Sequence, residues 1–250
     1  MSLLANLSTS NEIANEKDSV GSSGPLASGL YLCTVAMAYL SKSAKGALAL
    51  NLTLKTDSGR EIRQQLWMTS GQDKGCVNFY VDKEGNKQYL PGFNLANSLC
   101  LLTARKEISQ LDTEQKVVSI YNFDAKAEVP TKVDVIMDLL NQEVLVGLIK
   151  QKVDKNVKND AGQYVASGET REENEIDKFF RASDKKTTAE IRAQAEEATF
   201  FQTWETKWKD QVRDKSSASK GNVVGTIGAP RANAPAANAG TNKPTASLFG

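Results

Sequence analysis

The sequence predicts a mainly β protein with helical additions, on three observations. The first is Ala47–Lys55, A-L-A-L-N-L-T-L-K, where Leu48, Leu50, Leu52 and Leu54 alternate with Ala47, Ala49, Asn51, Thr53 and Lys55. Alternation puts the leucines on one face of a strand, since successive side chains of an extended chain point to opposite sides; a helix would scatter them. The second is Glu61–Met68, which hides Ile62, Leu66 and Met68 while displaying Arg63, Gln65 and Trp67. The third is Asp57-Ser58-Gly59 between them, a hairpin signal that leads one strand into the next.

The other elements follow in chain order. Residues 1–27 read as a polar N-terminal arm with room for a short helix around Glu12–Lys17 on which no argument is built, and Ser22-Ser23-Gly24-Pro25 is expected to break the chain before the first strand. That strand, Gly29–Leu40, sets Tyr31, Cys33, Val35, Met37 and Tyr39 against Leu30, Leu32, Ala36, Ala38 and Leu40, so both faces are expected to be covered. After the Ser70–Gly75 loop, Val77–Val81 and Lys87–Leu90 flank the turn Lys83-Glu84-Gly85-Asn86 as a small hairpin. Leu95, Leu99 and Leu102 have helical spacing, predicting a helix over Asn94–Arg105 with Pro91 before it. Val117–Phe123 reads as a short strand and Val133–Leu140 as a short helix. Strands resume at Glu143–Val153 and Thr170–Phe180, joined through the turn Asn159-Asp160-Ala161-Gly162.

Three strands, a helical insertion and a two-stranded ribbon is the order of an OB-like five-stranded Greek-key barrel, here assigned to residues 28–183; an open α+β sheet gives a similar string. Residues 184–214 predict an amphipathic C-terminal helix over Thr187–Arg213. Thr187 or Thr188 caps it, Glu190 sits in the first turn, and Phe200, Trp204, Trp208 and Val212 recur every four residues. Residues 215–250 are rich in Ala, Asn, Gly, Ser, Pro and Thr, carry Lys215, Lys220, Arg231 and Lys243, and contain no acid. Such a stretch buries too little apolar surface to fold, so a disordered tail is expected, carrying the apolar hook Leu248-Phe249.

Composition narrows the chemistry. The chain of 250 residues has no histidine, which removes Ser–His–Asp and Cys–His nucleophilic sites, histidine-ligated zinc and histidine acid–base catalysis. Cys33, Cys76 and Cys100 lack metal-ligand spacing, and scattered thiols without a signal peptide fit a reducing cytoplasm. A phosphate-binding Gly-x-x-x-x-Gly-Lys-Ser/Thr loop is missing, and no apolar run is long enough to span a membrane. The net charge is only +1, yet Lys42–Lys106 carries ten basic and five acidic residues against ten and fifteen in Glu107–Ser183. One basic sector suffices to attract phosphates.

Within that sector, Trp67, Tyr80 and Tyr89 are candidate platforms for stacking bases, and Arg63, Lys74, Lys83 and Lys87 are candidate phosphate contacts. Lys150, Lys152 and Lys155, in or beside the late hairpin, are further basic candidates, since the loop joining the last two strands of an OB barrel often borders its groove. Trp204, Trp208, Leu248 and Phe249 are candidate partner-binding residues; the tryptophan stripe also suits docking on the barrel itself. Glu173, Glu175 and Asp177 alternate along one strand, which reads as a solvated acidic face, because two-metal chemistry needs carboxylates converging from several elements. No catalytic residue, cofactor or metal is expected.

Several blocks also resemble a family of bacteriophage single-stranded DNA-binding proteins of replication and recombination. They are M-S-L-L-A-N-L, L-A-L-N-L-T-L, Q-L-W-M-T-S-G, K-G-C-V-N-F-Y-V-D-K-E-G-N-K-Q-Y-L-P-G-F-N, D-K-N-V-K-N-D-A-G-Q-Y and G-E-T-R-E-E-N-E-I-D-K-F-F, within residues 1–181. The resemblance implies an OB-fold, protection of displaced single strands, replication or recombination partners reached through the tail, and a host bacterial cytoplasm. The tail departs from the acidic, aromatic-tipped tails of many such proteins: it keeps Phe249 but is basic. The expected function is sequence-independent single-stranded DNA binding. The alternatives are a recombination mediator or strand-annealing protein that oligomerises through the Trp204 helix, and a metal-dependent nuclease centred on Glu173, Glu175 and Asp177.

Overall fold

The computed structural model describes residues 24–122, 125–159 and 162–217. In chain order the elements are β1 (Gly29–Lys42), β2 (Leu48–Thr56), β3 (Glu61–Trp67), β4 (Phe79–Val81), β5 (Lys87–Tyr89), α1 (Pro91–Thr103), β6 (Glu114–Asn122), β7 (Ala127–Val135), β8 (Glu143–Lys158), β9 (Tyr164–Arg181), α2 (Thr188–Arg192), α3 (Phe200–Trp208) and β10 (Val212–Asp214). The protein is mainly β with a few helices. Its described residues form two compact units, 24–150 with 174–211 and 151–173 with 212–217.

In the first unit β2 lies between β1 and β3, antiparallel to both, with Leu50 opposite Leu40 on one side and Leu66 on the other. The first half of β1 pairs with β8, and its last residues, Tyr39 and Leu40, pair with Val135 and Asp134 of β7. β7 also pairs along its whole length with β6, β9 pairs with β8, and β4–β5 make a separate small sheet. The sheet is not a closed barrel, which corrects the expected closure. Between β3 and β9 the Ile176 N–H donates to the side-chain Oε1 of Gln64 at 2.6 Å. A side chain there takes the donor that a neighbouring strand's carbonyl would take in a ladder.

The leucine strand behaves as its alternation predicts: Leu50, Leu52 and Leu54 are buried, together with Ile62, Leu66 and Met68. β1 departs from simple alternation. Its register with β2 shifts between Val35 and Met37, a bulge that inserts one residue and exchanges the faces of the strand. Before it Cys33 and Val35 face the core; after it Ala38 does, with Leu40 packed alongside. Met37, Tyr39 and Ser41 are thereby turned to the opposite side of the sheet. α1 begins with Pro91, whose fixed φ and missing N–H suit the first turn, and buries Ala96, Leu99, Cys100 and Leu102 against the strands. Burial pushes the Cys33 and Cys100 thiols up to about 12, so both act as packing groups.

Two expected helices are corrected. Val133–Leu140 is the end of β7 followed by a single 3-10 turn at Met137–Leu139. Pairing of Ala127–Val135 with Glu114–Asn122 overrides a spacing that mimicked a helix turn. Thr187–Arg213 is divided into α2, α3 and β10. Thr187 and Glu190 form a capping box on α2, and Gln194 adopts a φ of 53° just beyond it. The second oxygen of Glu190 accepts the backbone N–H groups of Thr199 and Phe200, both at 2.8 Å. One carboxylate therefore caps two helices and defines the break between them.

Burial opposes ionisation of Glu190, but the backbone N–H groups of Thr187, Phe200 and Thr199 and the Thr187 hydroxyl outweigh it, holding the carboxyl down to about 2. Its stabilising effect is therefore complete above the ordinary value of 4.5 and lost as pH falls toward 2. Thermal melts should show wild type more stable than Glu190→Gln at pH 6, with the gap shrinking between pH 4.5 and pH 2. A gap that stays constant over that range would contradict the assignment.

The second unit is the outer part of the β8–β9 ribbon with β10 along β8. Gln151 donates to Glu173 at 3.0 Å and accepts from Arg213 at 3.1 Å, and the Lys215 N–H donates to the Lys152 carbonyl at 2.8 Å.

Candidate nucleic-acid interface

The bulge in β1 lets three strands share one outward face. Their registers make three rungs: Ser41–Ala49–Trp67, Tyr39–Asn51–Gln65 and Met37–Thr53–Arg63. The Asn51 amide donates to Ser41 Oγ at 2.7 Å, and the Gln65 amide donates to Asn51 Oδ1 at 3.0 Å. These bonds fix the amides across the face in one orientation. Burial pushes the Tyr39 phenol above its ordinary range, with the Arg63 charge pulling the other way. The ring is therefore neutral and within the field of that guanidinium.

Two cavities flank this face and share Gln64 and Gln65. The first, about 580 Å³, is lined by Trp67, Lys45, Lys74, Pro91, Gly92 and Glu175 among others. Two loops bring its lysines beside Trp67. The Gln72 N–H donates to the Lys45 carbonyl at 2.8 Å, and Gly46, at φ 77°, lies where a Cβ would come within 2.9 Å of the Gln72 side chain. Gly92 is equally constrained, since a Cβ there would stand 2.2 Å from the Trp67 carbonyl oxygen. That close approach seats the end of β3 on the start of α1 and leaves the Trp67 side chain 42% exposed. Asp73 and Glu175 offset Lys45 and Lys74, so the cavity is basic only locally.

The second cavity, about 770 Å³, lies between the far half of the face and the β6–β7 hairpin. Tyr39, Asn51, Arg63 and Gln65 form its floor, and Val118, Ile120, Thr131 and Val133, which share one face of the hairpin, its wall. Arg63 is paired with Glu61 at 2.7 Å, with the two side chains 69% and 47% exposed. So open an ion pair contributes only about 0–1 kcal/mol, and a phosphate can displace the carboxylate.

The structure thus brings Arg63, Trp67 and Lys74 of the expected residues onto one surface and disperses the rest. Tyr89 pairs with Phe79 whereas Tyr80 pairs with Gln88, so the two tyrosines occupy opposite faces of the β4–β5 hairpin. They are not one stacking platform. Tyr89 lies 5.0 Å from the Phe93 ring, Lys87 sits over Phe79 at 4.8 Å, and Lys83 is in the exposed turn at the hairpin tip. Lys150 belongs to the first unit, its N–H donating to Ser28 Oγ. Lys152 and Lys155 belong to the second, where Lys155 is paired with Glu169 at 2.7 Å.

Trp204, a candidate partner contact, is instead 4% exposed, with its indole N–H donating to Asp177 at 2.8 Å. Trp208 is half-buried against the same cluster. Packing on its own sheet, where β8 and β1 present apolar residues, outcompetes display of the stripe. Leu248 and Phe249 lie outside the described residues. The acids of the nuclease alternative have separate surroundings: Glu173 pairs with Arg171, Glu175 lines the Trp67 cavity, and Asp177 holds Trp204. Among the described residues no group of three or more potential metal ligands converges, and no helix is long and apolar enough to cross a membrane.

Sequence reasoning passed over Tyr39 and the hairpin residues Val118 and Ile120. Tyr39 was hidden by the bulge, which reverses its face, and Val118 and Ile120 by a hairpin whose docking on β1 leaves no local signature. Compared with known proteins, the chain matches no family model, no curated protein and no solved structure.

Proposed function

We propose that the protein binds single-stranded DNA, largely without regard to sequence, on the outward face of β1–β2–β3. The observation that carries this reading is the exposed Trp67 in a cavity with Lys45 and Lys74, continuous through Gln65 with Arg63. An exposed ring offers a π-face that any unpaired base can stack on, and cations beside it follow the backbone. Strand order supports an OB-like reading of this surface: β1–β2–β3, then α1, then β8 on β1 and β9 on β8, follows the order expected of an OB barrel, without closure between β3 and β9. The resemblance to phage single-strand binders points the same way, and with it the tail as the segment that meets replication or recombination proteins. Burial of Trp204 weighs against an annealing protein assembled through that residue, although Phe200 on the same helix is exposed.

The test is fluorescence anisotropy with a labelled oligonucleotide of about thirty bases, competed with duplex, across a salt series. Contacts from Lys45, Arg63 and Lys74 alone predict a shallow slope of log K against log salt, about −2. Binding that duplex displaces as well as single strand does, or none at low salt, would sink the reading.

A further inference from the structure

A third cavity, of about 400 Å³, lies where the ends of β1 and β3 and the start of β2 meet β4 and α1. We infer that it receives the N-terminal arm of the same chain, with Leu3, Leu4 and Leu7 as the side chains that fill it. The inference does not depend on DNA binding; it assigns an occupant to an apolar hollow of the first unit.

Leu40, Leu48, Phe79, Phe93, Ile108 and Leu111 line this cavity, each half-buried, and none of its lining residues is charged. Apolar walls give water few partners, so an apolar occupant gains by displacing it. Several side chains fit, since a cavity of about 150 Å³ already takes benzene. Asn78, Ser109 and Thr113 add uncharged hydrogen-bonding groups, which suit the backbone of a peptide. A phosphate would find no cation there.

The arm matches the cavity in composition and in reach. Residues 1–11, M-S-L-L-A-N-L-S-T-S-N, carry no charged side chain, and Leu3, Leu4 and Leu7 have the three- and four-residue spacing of apolar anchors. The described chain starts in the same unit at Gly24, whose carbonyl accepts from Arg60 beside the β2–β3 turn. The cavity lies at the other end of these strands, by Leu48 and Met68. Along the nine residues of β2 that is about 27 Å. Leu7 precedes Gly24 by 17 residues, and that much chain spans up to about 56 Å, twice what is needed. The tail offers only the pair Leu248-Phe249, and the described chain leaves for it from the second unit. Cys76 and Val77 line this cavity while Ser70, Gly71 and Lys74 of the same loop line the one at Trp67. A seated arm therefore buttresses the loop that places Lys74 beside Trp67.

Cys76 supplies the reporter, since it lines the cavity and is exposed whereas Cys33 and Cys100 are buried. The full chain carrying Leu4→Cys is oxidised mildly beside one carrying Leu248→Cys, and the products are resolved by non-reducing electrophoresis and peptide mass spectrometry. The thiol introduced by Leu4→Cys is expected to join Cys76 within one chain, about 10-fold or more faster than that of Leu248→Cys, because tethering alone raises the local concentration of both. A protein carrying Leu3→Ser, Leu4→Ser and Leu7→Ser, with its own cysteines intact, is expected to be alkylated at Cys76 several-fold faster than wild type, through loss of protection. Equal rates for the two introduced thiols, together with unchanged alkylation, would overturn the inference. So would a faster reaction of Leu248→Cys, which assigns the cavity to the tail, or a disulfide linking two chains, which assigns it to the arm of a second copy.

Discussion

Truncating Trp204 to alanine is expected to destabilise the first unit by about 3–5 kcal/mol, a large share of the roughly 5–15 kcal/mol that holds a typical domain together. The indole fills the space between α3 and the sheet, edge-on to Phe180 with ring centroids 6.3 Å apart. It lies over Gly147, where even a Cβ would come within 2.9 Å of the ring. Removal leaves a cavity and also deprives Asp177 of its indole donor. Denaturant titration followed by far-ultraviolet circular dichroism measures the loss. Trp204→Phe keeps most of the ring and forfeits the hydrogen bond, so it should cost less, about 1–3 kcal/mol. A Trp204→Ala protein within about 1 kcal/mol of wild type would show that α3 does not hold this face of the sheet.

The second large effect is on binding. Trp67→Ala is expected to weaken single-stranded DNA binding by about 1–3 kcal/mol, a factor of roughly 5 to 150, while leaving the melting temperature within a few degrees. The two effects separate because Trp67 is 42% exposed; what seats the end of β3 is its backbone against Gly92. Tyr80→Ala is the comparison, since Tyr80 lines neither cavity of the proposed surface and its removal should change affinity little. Anisotropy on the three proteins decides the matter. Equal affinities for Trp67→Ala and wild type would remove the stacking role from Trp67.

How much of this was legible beforehand follows from how local each signal is. The leucine face of β2, the display of Arg63, Gln65 and Trp67 on β3, the apolar stripe of α1 and the Thr187–Glu190 cap all depend on residues a few positions apart, and the sequence predicted each. Long-range pairing decided the rest. Val133–Leu140 has helix-like spacing, yet its first residues are strand because Glu114–Asn122 lies alongside. Thr187–Arg213 reads as one helix, yet Glu190 folds back to cap Phe200 and divides it.

The candidate site shows the same division. Composition and alternation by themselves determined a mainly β chain without histidine chemistry, bearing an aromatic and basic strand face. Tertiary structure decided which residues share that face. A one-residue bulge turned Tyr39 outward, the β6–β7 hairpin brought Val118 and Ile120 into the cavity beside it, and burial withdrew Trp204 from the surface. A strand's two-residue period is a local property, whereas a bulge's effect on facing and a hairpin's docking depend on partners far away in the chain, whose pairing no local pattern encodes.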